Sequence, residues 1–186
     1  MHNPPAAHDP DAGPALCDAA MALLVGEGIE GLDPDDVDSR AGLPAGTCRA
    51  RYHSRAELLA AMFEHEATGY WEVLDTIEAE HGDDPAAALV AWMSYLLDAG
   101  RGRARALWGV MCDAATRREA TMYISALLVG WDRDVAARLH LTPRQLALVL
   151  PMVEGWAMHA IMRDTTLPER EDLRRYVRAL LDLTAD

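Results

Sequence analysis

Residues 16–59 read LCDAAMALLVGEGIEGLDPDDVDSRAGLPAGTCRARYHSRAELL, and the apolar spacing within them decides the fold class. Leu16, Ala19, Ala20, Leu23 and Leu24 recur at three- and four-residue intervals, the repeat of one helical face, and Gly28 follows where a helix ends in a left-handed residue. Asp33 before Pro34 is an N-cap with a first-turn proline, and Val37 and Ala41 share a face before Gly42 ends the second helix. A third helix is expected from Pro44 to Tyr52, with Cys48 and Tyr52 facing inward. Two short helices joined at a glycine turn outline a helix-turn-helix. Ser54 and Glu57 form a capping box that opens a long helix, carrying Leu58, Leu59, Met62, Phe63, Tyr70, Leu74 and Ile77 and stopping near Gly82.

Farther along, Asp84-Pro85, Thr142-Pro143 with Gln145, and Thr166 with Glu169 mark further helix starts. Helices are predicted at 85–99, 103–113, 117–138, 143–162 and 168–183, with a kink at Pro151, whose ring removes a backbone hydrogen bond. The prediction is an all-α fold of nine helices. Residues 1–13 hold three prolines and no apolar period, so they read as a tail, followed by a helix-turn-helix domain over 14–53 and a helical domain over 54–186.

The chain has 186 residues, 51% of them apolar, enough for a substantial core. With no basic, apolar leader and no uncharged run of bilayer length, a cytoplasmic protein that does not enter a membrane is expected. Cys17, Cys48 and Cys112 are odd in number and widely separated, which suits neither a disulfide framework nor a spaced metal site. All seventeen basic residues are arginine, and the net charge of −13 argues against broad attraction to nucleic acid while leaving room for a local basic patch.

The stretch from Leu16 to Leu59 resembles the DNA-binding domain of TetR-family regulators. The resemblance rests on Ala19-Ala20 and Leu23-Leu24, Gly28, Leu32, Val37, Arg40-Ala41-Gly42-Leu43 at the turn, Gly46-Thr47, Tyr52, Ser54-Arg55 and Leu58-Leu59. The Gly155 region is similar to that of many family members. The resemblance implies a nine-helix TetR-like architecture. It also implies a homodimer paired through the last two helices, a small-molecule pocket among the middle helices, and operator DNA bound by the first three.

DNA recognition needs cationic or hydrogen-bonding groups on the outer face of the recognition helix, because phosphate contacts give affinity and base edges give specificity. Between Ser39 and Ala56 stand four arginines and no acid. The candidate DNA-binding residues are Arg40, Ala45, Thr47, Arg49, Ala50, Arg51, Tyr52 and Arg55. Pro44, Ala45, Arg49 and Arg51 depart from the serine, small or basic polar, tyrosine, and histidine or tyrosine that the family pattern carries there. Asp35, Asp36 and Asp38 suit a helix N-terminus through its dipole but would repel phosphate. Residues 1–66 hold four arginines against twelve acids, a balance of −8, so weak and salt-sensitive binding is expected.

Large adaptable apolar side chains accumulate toward the C-terminus, Met93, Met152, Trp156 and Met162 among them. Trp71, Trp92, Trp108, Met111, Met122, Tyr123, Trp131, Met158 and His159 are the candidate ligand-binding residues, with Asp113 and Glu154 as further polar groups. Such walls suit a flat or greasy effector, since methionine adapts its shape and tryptophan supplies area and one donor. Catalytic signatures are missing: there is no phosphate-binding glycine loop, HExxH, nucleophile elbow or spaced Cys-His pair. His65 and His81 lie sixteen residues apart on one predicted helix, too far to share a metal. No catalytic residue, metal or cofactor is expected. The reading is a ligand-responsive transcriptional regulator, a repressor released by a small hydrophobic effector. The alternative is a TetR-like dimer that has lost DNA binding and acts by holding a ligand or a partner.

Overall fold

The structure, a computed structural model, describes residues 12–113, 130, 132–166 and 168–184. Its elements are α1 (Ala12–Glu27), a 3-10 turn (Ile29–Gly31), α2 (Pro34–Ala41), α3 (Thr47–Arg51), α4 (Arg55–His81), α5 (Pro85–Leu97) and α6 (Arg101–Cys112). Helical residues 132–138 form α7, followed by α8 (Pro143–Leu148), α9 (Leu150–Met162) and α10 (Arg170–Leu183). Among the described residues every regular element is helical. The chain gathers into two compact units, Met1–Ala67 with Ala106–Ile124, and Thr68–Arg105 with Ser125–Asp186.

In the first unit α2 and α3 both pack on α1. The expected stripe is fully inward, with Leu16, Ala20, Leu23 and Leu24 of α1, Val37 of α2 and Cys48 of α3 all buried. Complete burial of each leucine or valine among them contributes about 1.5–3 kcal/mol. α1 starts at Ala12, two residues inside the stretch read as tail, because Ala12 and Gly13 are themselves buried. His65 of α4 meets Asp18 of α1 at 3.0 Å.

The second unit is built on α5, whose buried residues include Ala86, Leu89, Val90, Trp92, Met93, Leu96 and Leu97, so apolar groups lie on every side of it. α9 and α10 pack on α5, and α8 on α9. Leu173, Val177 and Leu181 of α10, four apart, form its inward stripe. Asp84 caps α5 by accepting the Ala87 N–H at 3.1 Å and also receives the guanidinium groups of Arg174 and Arg178. Arg101, the first residue of α6, donates to the Ala160 carbonyl at 3.3 Å and to Asp164 at 2.9 Å.

Two sequence expectations change. The helix read as 143–162 is two helices that meet at Val149; Pro151 lies in the first turn of α9, where its missing N–H breaks no bond. Thr166 does not cap the last helix, because that helix starts only at Arg170, with Glu169 in the capping position. Thr142 and Gln145 do form the expected capping box. Residues 143–162 are together long and apolar enough to cross a membrane. They are interrupted at Val149, however, and α9 buries Leu150, Val153, Ala157, Ala160 and Ile161 while leaving Met152 and Met162 exposed. Most of the helix predicted over 117–138, with Met122, Tyr123 and Trp131, lies outside the described residues.

Candidate nucleic-acid interface and effector residues

The helix-turn-helix is assembled by two glycines and one buried acid. Gly42 closes α2 at φ +68 and donates its N–H to the carbonyls of Asp38 and Ser39. Gly46, at φ +89, leads into α3, and this left-handed geometry, costly for a residue with a β-carbon, shortens the helix expected from Pro44 to five residues. The first N–H groups of any helix lack intrahelical acceptors. Here Asp38, 1% exposed, supplies them: its Oδ2 accepts from the Gly46 N–H and its Oδ1 from the Cys48 N–H, both at 2.7 Å. An acid that sequence reading set among possible phosphate repellers is therefore the clamp that holds α3 onto α2. Its signal is faint but present, since Asp38 sits beside Val37 on the inward side of α2.

The other acids of this region have distinct places. Asp33 caps α2 by accepting the Asp35 N–H at 2.8 Å. Asp35 faces α3 and pairs with Arg49 through two bonds of 3.2 Å, and Asp33 stands 3.6 Å from the same guanidinium. Asp36 is exposed and makes no ion pair among the described residues.

The eight candidate DNA-binding residues do not form one cationic face. Arg40, Ala45, Arg49 and Ala50 are exposed. Thr47 turns back, its hydroxyl donating to the Pro44 carbonyl at 2.6 Å. Arg51, expected on the outer face, is half-buried; it lies 5.9 Å over the Tyr52 ring, and a β-carbon on Gly13 would come within 2.7 Å of its Nη2. Tyr52 packs inward with its hydroxyl 3.7 Å from the Cys17 Sγ, and burial and that contact push its pKa up to about 12. Arg55 donates to the Ile29 carbonyl. Of the four arginines, Arg40 alone has no ion-pair, hydrogen-bond or ring partner among the described residues. A small cavity of about 310 Å³ lies beside α3, lined in part by Pro34, Arg49, Tyr52, Ser54 and Arg55.

The candidate ligand residues are dispersed. Trp92 is 3% exposed and belongs to an aromatic cluster, 5.6 Å from Tyr70 edge to face and 5.7 Å from Tyr95 in a stack. Trp71 is half-buried and covered by the Arg138 guanidinium at 4.8 Å, which Asp75 holds at 2.7 Å. Trp108 and Met111 are half-buried on α6 in the first unit, as is Asp113 just beyond its end, while Met158 is half-buried and His159 exposed on α9 in the second. Glu154 on α9 is half-buried; burial first, and then the charge of Asp132, raise its pKa to about 7.

Met152 and Trp156, grouped by sequence with the pocket residues, instead line an open groove on α9 and α10. Val153, Tyr176, Val177 and Leu180 complete it, and its volume is about 570 Å³. Leu148, Met152, Met162, Tyr176 and Leu183 are the large apolar side chains most exposed among the described residues, and all lie on α8, α9 or α10. Among the described residues no group of three or more His, Cys, Asp or Glu is placed to hold a metal ion.

No protein-family model matches the sequence, and no curated protein matches it. Solved structures do. A transcriptional regulator from Rhodococcus sp. Rha1 is similar at 24% identity and TM-score 0.71, over 93% of this chain and 95% of that one. The multidrug binding protein EbrR in complex with ethidium is similar at 20% identity and TM-score 0.75, over 93% and 99%. A protein from Rhodococcus sp. described as a TetR-family transcriptional regulator is similar at 17% identity and TM-score 0.67, over 95% and 100%. At such identities the likeness establishes the fold, and the chain has the all-α, TetR-like fold.

Proposed function

We propose that this chain is a TetR-type transcriptional regulator, a repressor that binds operator DNA as a homodimer and is released by a small hydrophobic effector. The observation that carries the reading is the clamp of Asp38 on the N-terminus of α3. A buried carboxylate spent on two backbone N–H groups fixes a five-residue helix beside α2. It leaves Arg40, Ala45, Arg49 and Ala50 turned to solvent, where a major groove would meet them.

The apolar groove on α9 and α10 supports pairing of two copies through the last two helices, since exposed apolar patches of this kind mark association surfaces. The proposed effector site lies in the second unit, beside the half-buried Trp71 and the Tyr70, Trp92 and Tyr95 cluster. EbrR, of the same fold, has been crystallised with ethidium and with proflavin, and a flat apolar effector fits the aromatic content here.

The test is fluorescence polarisation with duplex DNA from the chain's own upstream region, for the natural protein and for Arg40→Ala and Ala50→Glu. Both positions are exposed, so folding is expected to be unaffected. The reading requires Ala50→Glu to abolish the complex and Arg40→Ala to weaken it; unchanged affinity in both would overturn it. One observation favours a second reading, a dimer without DNA binding: Arg49, Arg51 and Arg55 all make contacts within the protein.

A further inference from the structure

We infer that Asp35 is a built-in competitor for DNA, holding the fork of Arg49 in the DNA-free protein so that the recognition helix engages only where a bidentate acceptor on DNA displaces it. The inference rests on the DNA-binding reading above and names its regulation.

The geometry is that of a substrate mimic. Arg49 Nε donates to Asp35 Oδ1 and Nη2 to Oδ2, each at 3.2 Å, the two-pronged arrangement that guanidinium also makes with phosphate oxygens or with the acceptor edge of guanine. The carboxylate is well placed because Asp35 sits in the first turn of α2, with its own N–H held by Asp33. Asp33 adds a second negative charge 3.6 Å from the guanidinium. The clamp of Asp38 keeps α2 and α3 in fixed register, so the pair forms wherever the two helices are folded. With Arg51 folded against Gly13 and Tyr52, Arg49 is the exposed arginine of α3, and its charge is offset by Asp35 and Asp33.

Side chains 56% and 66% exposed make an ion pair that exchanges readily, since water and salt compete for both partners. DNA therefore loses little by displacing Asp35 at a site that offers two well-placed acceptors. Asp35 thus sets how much affinity a contact of Arg49 with DNA can add.

The experiment compares the full-length natural protein with Asp35→Asn, Asp36→Asn, Arg49→Ala and the Asp35→Asn/Arg49→Ala pair by fluorescence polarisation. Each is measured on the upstream duplex and on a scrambled duplex of equal length. Asp36→Asn removes the same charge next door without touching Arg49, and so measures plain repulsion. The expected result is that Asp35→Asn binds about fivefold more tightly than Asp36→Asn, and that this surplus vanishes when Arg49 is alanine. A surplus on both duplexes assigns the acceptor to phosphate, and a surplus on the upstream duplex alone assigns it to a base edge; either supports exchange. Equal gains from the two asparagines, a surplus that persists without Arg49, or weaker binding by Asp35→Asn would each overturn the inference while leaving DNA binding intact. The DNA-free state is read separately by the NMR signal of the Arg49 Nε–H, expected to shift in Asp35→Asn and not in Asp36→Asn. No binding by any variant, with that signal as expected, would remove the DNA reading and the competitor role together.

Discussion

Arg49 and Asp35 face each other across the turn between α2 and α3, joined by two hydrogen bonds of 3.2 Å. Because both side chains are more than half exposed, the pair should add little to folding. A double-mutant cycle with Asp35→Ala and Arg49→Ala, followed by thermal unfolding, is expected to give a coupling energy below about 1 kcal/mol. A coupling above about 2 kcal/mol would make the pair a structural lock rather than an exchangeable contact.

Asp38 is the opposite case. Its buried carboxylate accepts two backbone N–H groups, and charged hydrogen bonds of this kind are costly to remove. Asp38→Ala is expected to destabilise the first unit by about 2–4 kcal/mol, measured by denaturant unfolding. In hydrogen exchange the amides of Gly46 and Cys48 should lose protection first. Uniform loss of protection throughout the unit would contradict a local clamp.

Thiol chemistry offers a check on the packing of α1 and α3. Cys17 and Cys48 are buried, and burial pushes the Cys48 thiol up to about 11, with Asp38 adding to the effect, whereas Cys112 is exposed. Reaction with an aromatic disulfide reagent near neutral pH is expected to label Cys112 quickly and the other two only on unfolding. Rapid labelling of Cys48 in the native protein would show α3 undocked.

Two carboxyl groups set opposite pH responses in the second unit. Burial alone would raise the pKa of Asp84, but the guanidinium groups of Arg174 and Arg178, with the Ala87 N–H, outweigh it and hold the carboxyl well below the usual carboxylate range. A depressed folded pKa gives stability that is present at neutral pH and lost on acidification below the unfolded value. Asp84→Asn is therefore expected to cost about 1–2 kcal/mol at pH 7, by loss of the ion pairs and part of the cap, and progressively less in acid.

Glu154 runs the other way. Its folded pKa is raised to about 7, so its proton is held in the native state and stability falls as pH rises through that value. Glu154→Gln is expected to raise Tm at pH 8 by the equivalent of about 1 kcal/mol, allowing for partial exposure, and to have less effect at pH 5. Equal effects at both pH values would contradict a buried, proton-binding carboxyl.

Most of the fold was legible in the sequence because each helix carries its own punctuation. Asp33-Pro34 with Gly42, Asp84-Pro85 and Thr142 with Gln145 lie where the structure starts or ends a helix. The site was less legible. Helical spacing puts Arg51 on an outer face, but the small Gly13 leaves room for its guanidinium to fold back onto α1. Asp38 and Asp35 read alike as acids in one short helix, yet one is buried and clamps backbone while the other pairs with an arginine fourteen residues on. Met152 and Trp156 show only that they are large and apolar, and the packing of α9 on α5 decides that they line an outer groove.

The most direct test of the account is the salt dependence of binding to the upstream duplex, measured together with the mass of the complex. Two copies, each bringing Arg40 to a phosphate and an exchanged Arg49 to a phosphate or a base edge, should give one dimer per site and a slope of log affinity against log salt of roughly −2 to −4. A complex containing a single copy, or no complex even at low ionic strength, would contradict it.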